Sequence, residues 1–245
     1  MFIAEQVESL AFVNIPYIYD DLCLIHPLKI GDLLALERKY DMFLKTLTID
    51  KNFIMKIFSD KKIEINVDQC PTPLRYILES ANIDDNFLLE LQTAFSTFIR
   101  EEVTILYNSQ QIIIGDPKEK RILNESNFSD FQAILRLQNK IPAIEVIPED
   151  ESPRAKRFRE KRELRDAIKN KQESKKAPKF STLMSALCTY GIGITPFNIK
   201  DISIYAFYSL LNTNGNKERY NTEMNYIYAG ADPKKLNPKH WIKNN

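Results

Sequence analysis

Two histidines, His26 and His240, three cysteines, Cys23, Cys70 and Cys188, and four sets of adjacent carboxylates are the residues of this 245-residue chain best suited to chemistry. Histidine is the usual general base and metal ligand. The two here are too far apart in sequence to suggest a shared site. The cysteines are odd in number, contain no Cys-x-x-Cys pair and have only one histidine nearby, so they read as buried thiols of a reducing compartment. The carboxylate sets are Asp20-Asp21, Asp84-Asp85, Glu101-Glu102 and Glu149-Asp150-Glu151. Each falls at a predicted turn or helix end, where acidic groups cap backbone amides and complement the helix dipole. Gly191-Ile192-Gly193 is the nearest approach to a phosphate loop, but no strand pattern precedes it and no Lys-Ser or Lys-Thr follows. The expectation is a chain with no catalytic residue, no cofactor and no metal site.

Two other patterns concern binding. Arg154, Lys156, Arg157, Arg159, Lys161 and Arg162 put six cations into nine residues, enough to neutralise several phosphates of a nucleic acid. The same stretch interleaves Glu160, Glu163 and Asp166 and offers only Phe158 for base stacking. A charged connector is therefore the preferred assignment, and nucleic acid, bound through 154–179, the alternative. Near the C-terminus, Tyr205, Phe207, Tyr208, Tyr220, Tyr226, Tyr228 and Trp241 are dense for so short a segment. Some must form core, but Tyr and Trp also anchor protein interfaces, which makes Tyr205, Tyr208, Tyr226, Tyr228 and Trp241 candidate partner-binding residues.

These residues need elements to position them. The chain is 44% hydrophobic and 27% charged, a globular composition, with only 6 glycines against 30 isoleucines and 19 asparagines. No apolar run approaches the length of a membrane span, and Glu5 and Glu8 interrupt the start, so neither export nor membrane insertion is expected. The net charge of +1 conceals a segregation: 151–180 carries 12 basic and 5 acidic residues, a local +7, leaving −6 elsewhere.

Phe12 to Tyr19 and Leu22 to Pro27, about Asp20-Asp21, predict a hairpin. Asp32 is then the predicted N-cap of one helix through Leu47, Thr72-Pro73 opens a second, and Asp84 opens a third bearing Phe87, Leu91, Phe95 and Ile99. Val103–Tyr107 and Gln110–Ile114 predict a second hairpin, and Phe128, Phe131, Ile134 and Leu135 mark another helix. The expected core includes Leu33, Leu36, Phe43, Phe87, Leu91, Phe95, Ile105, Ile113, Phe131 and Leu135. The fold class is α+β: a two-hairpin domain with several helices over 1–148, a charged helical linker over 149–180, and a small all-helical C-terminal unit over 181–245 ending in an extended tail.

The chain also resembles a known group of proteins. The order runs from Leu24-Ile-His-Pro-Leu-Lys-Ile-Gly-Asp-Leu-Leu-Ala-Leu-Glu37 to Thr104-Ile-Leu-Tyr107, Gln111-Ile-Ile-Ile-Gly115 and Arg121-Ile-Leu-Asn-Glu-Ser-Asn-Phe-Ser-Asp-Phe131. It continues through Leu137-Gln-Asn139, Ser152-Pro-Arg-Ala-Lys156, Ile202-Ser-Ile-Tyr-Ala-Phe-Tyr208, Ala229-Gly-Ala231 and Lys239-His-Trp-Ile242. This order is similar to tailed-bacteriophage tail and baseplate proteins, in particular baseplate-hub assembly proteins of contractile phages, which are related in role to tail assembly chaperones. The resemblance implies a non-enzymatic protein of tail or baseplate assembly or architecture, or a chaperone of the tape-measure protein. It implies other tail or baseplate proteins as partners, and the host cytoplasm during assembly, or the virion tail, as its location.

Overall fold

The computed structural model describes residues 3–63, 69–142, 152, 154–155, 157–159, 161–162, 164–165, 178–190, 193–236 and 238–244. The fold is α+β, with two small antiparallel sheets among helices. The chain forms two compact units: Met1–Pro142 with Phe197–Asn245, and Ala143–Pro196. Residues 197–245 thus cluster with the N-terminal part of the chain and not with 181–196. The expected boundary near 148, Lys156 and Gly191 lie outside the described residues.

The first unit opens with α1 (Ala4–Phe12), which no periodicity announced, because only Val7 and Ala11, one turn apart, are buried along it. The first hairpin follows as β1 (Tyr17–Tyr19) and β2 (Cys23–Ile25), shorter than expected. Its register pairs Tyr17 with Ile25, Ile18 with Leu24 and Tyr19 with Cys23. The first and third pairs face the core, so Ile18 and Leu24 point outward together.

The single helix expected from Asp32 is two. α2 (Ile30–Leu36) starts earlier, with Lys29 at the cap, and Asp32 accepts the Lys29 N–H at 2.9 Å from the third helical position. A positive φ of 51° at Glu37 ends it, and α3 (Arg38–Leu47) begins at once. Tyr40, Phe43, Leu44 and Leu47 are buried along α3, whereas Leu33 and Leu36 on α2 are half-buried. α4 (Lys51–Asp60), capped by Asp50 accepting from Phe53 N–H at 2.8 Å, was not expected. Thr72 and Asp84 cap α5 (Pro73–Ile83) and α6 (Asp85–Ile99) as the sequence indicates. Leu91, Phe95 and Phe98 of α6 are buried, and Phe87 is half-buried.

The second hairpin, β3 (Val103–Leu106) and β4 (Gln111–Ile114), gains a third strand, β5 (Ile122–Leu123), too short to signal in sequence. Its register sets Val103 opposite Ile114 and Ile105 opposite Ile112. Ile112 and Ile114 therefore fill the core, and Ile113, expected there, is on the other face.

α7 (Glu125–Gln138) holds this unit together in two ways. Phe128 and Phe131 meet Phe95 with ring centroids 6.5 and 5.7 Å away, and each such buried side chain contributes about 1.5–3 kcal/mol. Its polar residues close backbone groups that other elements leave open. The α3 C-terminus ends in carbonyls with no helical partner. Gln132 donates to Leu47 O at 2.8 Å and Ile49 O at 2.9 Å, and Arg136 donates to Thr48 O. Gln138 donates to Ile25 O at 3.0 Å, and the Tyr40 hydroxyl donates to Asn139 Oδ1 at 3.0 Å.

The C-terminal part joins by backbone pairing: Ile30 N–H donates to Ile202 O at 2.9 Å and Ile204 N–H to Leu28 O at 2.8 Å, an antiparallel bridge of Lys29 and Ser203. Gly31 permits the approach, since a Cβ there would lie 3.1 Å from Lys200 O. A 3₁₀ turn, Ile199–Asp201, leads into this bridge. In the second unit, the described residues of 154–165 are helical (α8), and α9 (Phe180–Thr189) buries Leu187. The remaining helices, α10 (Ile204–Tyr228) and α11 (Pro233–Leu236), belong to the first unit, and α11 with a 3₁₀ turn at Trp241–Asn244 replaces the expected extended tail.

Candidate functional site

α10 starts as a core helix and ends as a surface. The Ser203 hydroxyl accepts from Ala206 N–H at 3.0 Å, and Ile204, Ala206 and Phe207 are buried in the first turn. Nothing beyond Phe207 is fully buried over a helix about 37 Å long. The reason is in the sequence: Asn212-Thr-Asn-Gly-Asn216 interrupts the apolar stripe, so the distal half has no continuous face to bury.

The five candidate aromatics fall into two groups along this helix. Tyr205 is half-buried beside α1, with Lys140 Nζ 4.4 Å from its ring centroid, a cation–π contact. Burial raises its hydroxyl pKa, and the Glu8 carboxylate adds to the shift. Tyr208 packs edge-on against Phe207 at 5.3 Å and keeps a partly open face. About 30 Å further along the axis, Tyr226 and Tyr228 are 57% and 78% exposed. Trp241 is half-buried: its ring stacks on His240 at 5.7 Å, and His240 lies 5.2 Å from Tyr220, so the tail folds back on α10. Tyr226 and Tyr228 thus stand exposed on a helix with its own tail packed beside it.

Two surface features were not read from the sequence. Ile18 and Leu24, paired across the first hairpin, are 68% and 41% exposed, and Val13 and Ile15 are exposed just before them. The signal was present, since both hairpin strands are apolar at every position and only one face can reach the core. An open cleft of about 720 Å³ between α1 and α10 is lined by Glu8, Phe12, Lys140, Tyr205, Ser209 and Thr213, among others. Neither α1 nor the cleft was foreseeable from the weak α1 pattern.

Of the groups considered for catalysis, Glu101 lies near enough to both Cys23 and His26 to act on their titration. Cys23 is buried, and burial with the nearby Glu101 pushes its thiol up to about 12, which keeps it protonated and unreactive. Cys70 is buried and its pKa raised, chiefly by burial. Burial, then the Arg100 guanidinium, holds His26 below its ordinary value. Glu101 is drawn into a two-pronged contact with Arg121, at 2.9 and 2.6 Å, which lowers its pKa. Among the described residues, no group of three His, Cys, Asp or Glu comes together as a metal site, and no helix is long and apolar enough to cross a membrane. In the basic segment, Arg154, Arg157, Arg159, Lys161 and Arg162 all lie on α8.

Residues 169–245 match a family model described as YomV second domain. The family is phage-derived, YomV being a Bacillus prophage protein. The match takes in α9, α10 and the folded-back tail, and so contains every candidate aromatic. No curated protein and no solved structure matches the chain.

Proposed function

We propose that this is a non-enzymatic bacteriophage protein that acts in tail or baseplate assembly or architecture, through contacts made by the distal half of α10. The observation that carries the proposal is the exposure of Tyr226 and Tyr228 on a helix whose base is fixed in the core. The likeness of 169–245 to a phage-derived family supports the phage setting. The resemblance to baseplate-hub assembly proteins supplies the tail and baseplate role. Two tyrosines presented at low conformational cost suit a hot spot, where truncation costs roughly 2 kcal/mol or more of binding.

Complementation of a phage lacking the gene tests this. Y226A/Y228A should fold normally by circular dichroism and lower the yield of tailed particles at least about tenfold, the equivalent of about 1.4 kcal/mol. Full yield of tailed particles with the double variant contradicts the proposal.

A further inference from the structure

α1 and the first turns of α10 frame a second surface, separate from Tyr226 and Tyr228. Glu5, Glu8 and Phe12 of α1 and Tyr205, Ser209 and Thr213 of α10 line the open cleft between the two helices. On each helix these residues are three or four apart, so one face of each forms a wall about two turns, or about 12 Å, long. Spread over that length, the cleft volume of about 720 Å³ gives a cross-section of about 60 Å², against about 80 Å² for a helix about 10 Å across. The cleft therefore admits the side chains of one helical face and not a whole helix. Its walls differ in character. The α1 wall carries the Glu5 and Glu8 carboxylates and ends in Phe12 and Val13, both exposed. The α10 wall offers two hydroxyls and the Tyr205 ring, with the Lys140 ammonium 4.4 Å from the ring centroid. Two carboxylates against one ammonium leave the lining negative. The apolar end continues along the chain through exposed Ile15 to Ile18 and Leu24, paired on the outward face of the first hairpin.

We infer that this cleft docks a basic amphipathic helix of a partner protein, with a Lys or Arg side chain between Glu5 and Glu8 and apolar side chains on Phe12 and Val13. The inference goes beyond the tail or baseplate role and does not depend on it. Charge complementarity is the first ground, since a negative lining selects a cationic face and repels an acidic one. Spacing is the second. Glu8 and Phe12 are one turn apart, so the occupant must present its cation and its apolar anchor three or four residues apart, as a helix laid along a groove does. A small organic cation suits the cleft less well. Sites for small ligands enclose most of the ligand surface, whereas Glu5, Phe12 and Val13 stand exposed along this one.

The test titrates the full chain against two labelled helical peptides, LKKLLKLLKKLLKL and its acidic counterpart LEELLELLEELLEL, by fluorescence anisotropy in about 0.1 M salt. The basic peptide should bind at least about tenfold more tightly than the acidic one. E5Q/E8Q should weaken the basic peptide about fivefold, the scale of one to two exposed ion pairs. D60N/E102Q removes the same charge elsewhere in the first unit and should change binding less than about twofold, because salt screens distant charges. T213W fills the cleft without altering its charge and should weaken the peptide about tenfold while circular dichroism stays normal. Y226A/Y228A should bind the peptide like the parent, so this outcome is read apart from the complementation result. Equal binding of the two peptides, equal effects of the two charge pairs, or a folded T213W that binds like the parent overturns the inference. Displacement of the basic peptide by an equal concentration of spermine gives the cleft to a small cation, and a dimer of the chain that E5Q/E8Q dissociates gives it to a second copy. Either result also overturns it.

Discussion

α7 and α10 both pack against α1, yet they treat their residues in opposite ways. α7 buries six residues in 14 and uses its amides and Arg136 to close the backbone of α3, β2 and the loop after α3. α10 buries three in 25, all in its first turn, and its distal aromatics meet solvent or the C-terminal tail. The difference separates residues that make the fold from residues that the fold presents. In α7 even the polar side chains are structural, because a buried carbonyl left without a donor costs free energy. In α10 beyond Phe207 no side chain is fully buried, so the core does not depend on it.

The largest effect should come from breaking the α7 core. Phe131→Ala opens a cavity among Phe95, Phe128 and the α6 face and should destabilise the first unit by about 3–5 kcal/mol in urea denaturation. Tyr228→Ala, the matching truncation on α10, should stay within about 0.5 kcal/mol. A loss at Tyr228 comparable to that at Phe131 would erase the contrast. Next in size, Gln132→Leu removes the donor to one buried and one part-buried carbonyl and should cost about 1–3 kcal/mol, although leucine is nearly isosteric and more apolar. If the variant matches the parent, the α7 amides do not hold α3. Ser203→Ala, which removes the cap of α10 and sits in the bridge to Lys29, should cost about 1 kcal/mol.

The residues that make these contacts were unevenly visible in the sequence. Thr72 and Asp84 announced their helices because a cap followed by an apolar period is a local signal. Phe131 and Leu135 likewise declared a buried face. Gln132 and Arg136 look like ordinary exposed helix residues until α3 lies beside them, since their partners are 80 or more positions away. Ile113 was misplaced because Gln111-Ile-Ile-Ile114 is apolar at three successive positions, and only the register with Val103 decides which two face inward. Both ends of α10 are legible as helix, in Ile204, Phe207 and Leu211 and in Tyr220, Met224 and Tyr228, but as two helices where the structure has one, and the return of 197–245 to the N-terminal part depends on the pairing of Lys29 with Ser203. No local pattern encodes that pairing.

The smallest effect is acid sensitivity. His26 is held below its ordinary 6.5 by burial and Arg100, and Glu101 below 4.5 by its Arg121 hydrogen bonds. Both bind fewer protons folded than unfolded, so their contribution is present above the unfolded values and lost as pH falls through the folded ones. The urea midpoint should decline in two steps, first below about 6.5 and then below about 4.5. His26→Asn should remove the first step alone. A midpoint independent of pH across both ranges contradicts these shifts.

The central claim is that the distal half of α10 exists to be bound. Site-specific photo-crosslinking in phage-producing cells tests it directly, with a benzoyl-phenylalanine placed at Tyr228 and, as control, at Leu89, an exposed apolar residue of α6. The account predicts crosslinks from position 228 to a tail or baseplate protein of the phage, and none to that protein from position 89. No adduct from 228 with any tail or baseplate protein, or the same adducts at equal yield from both positions, would contradict it.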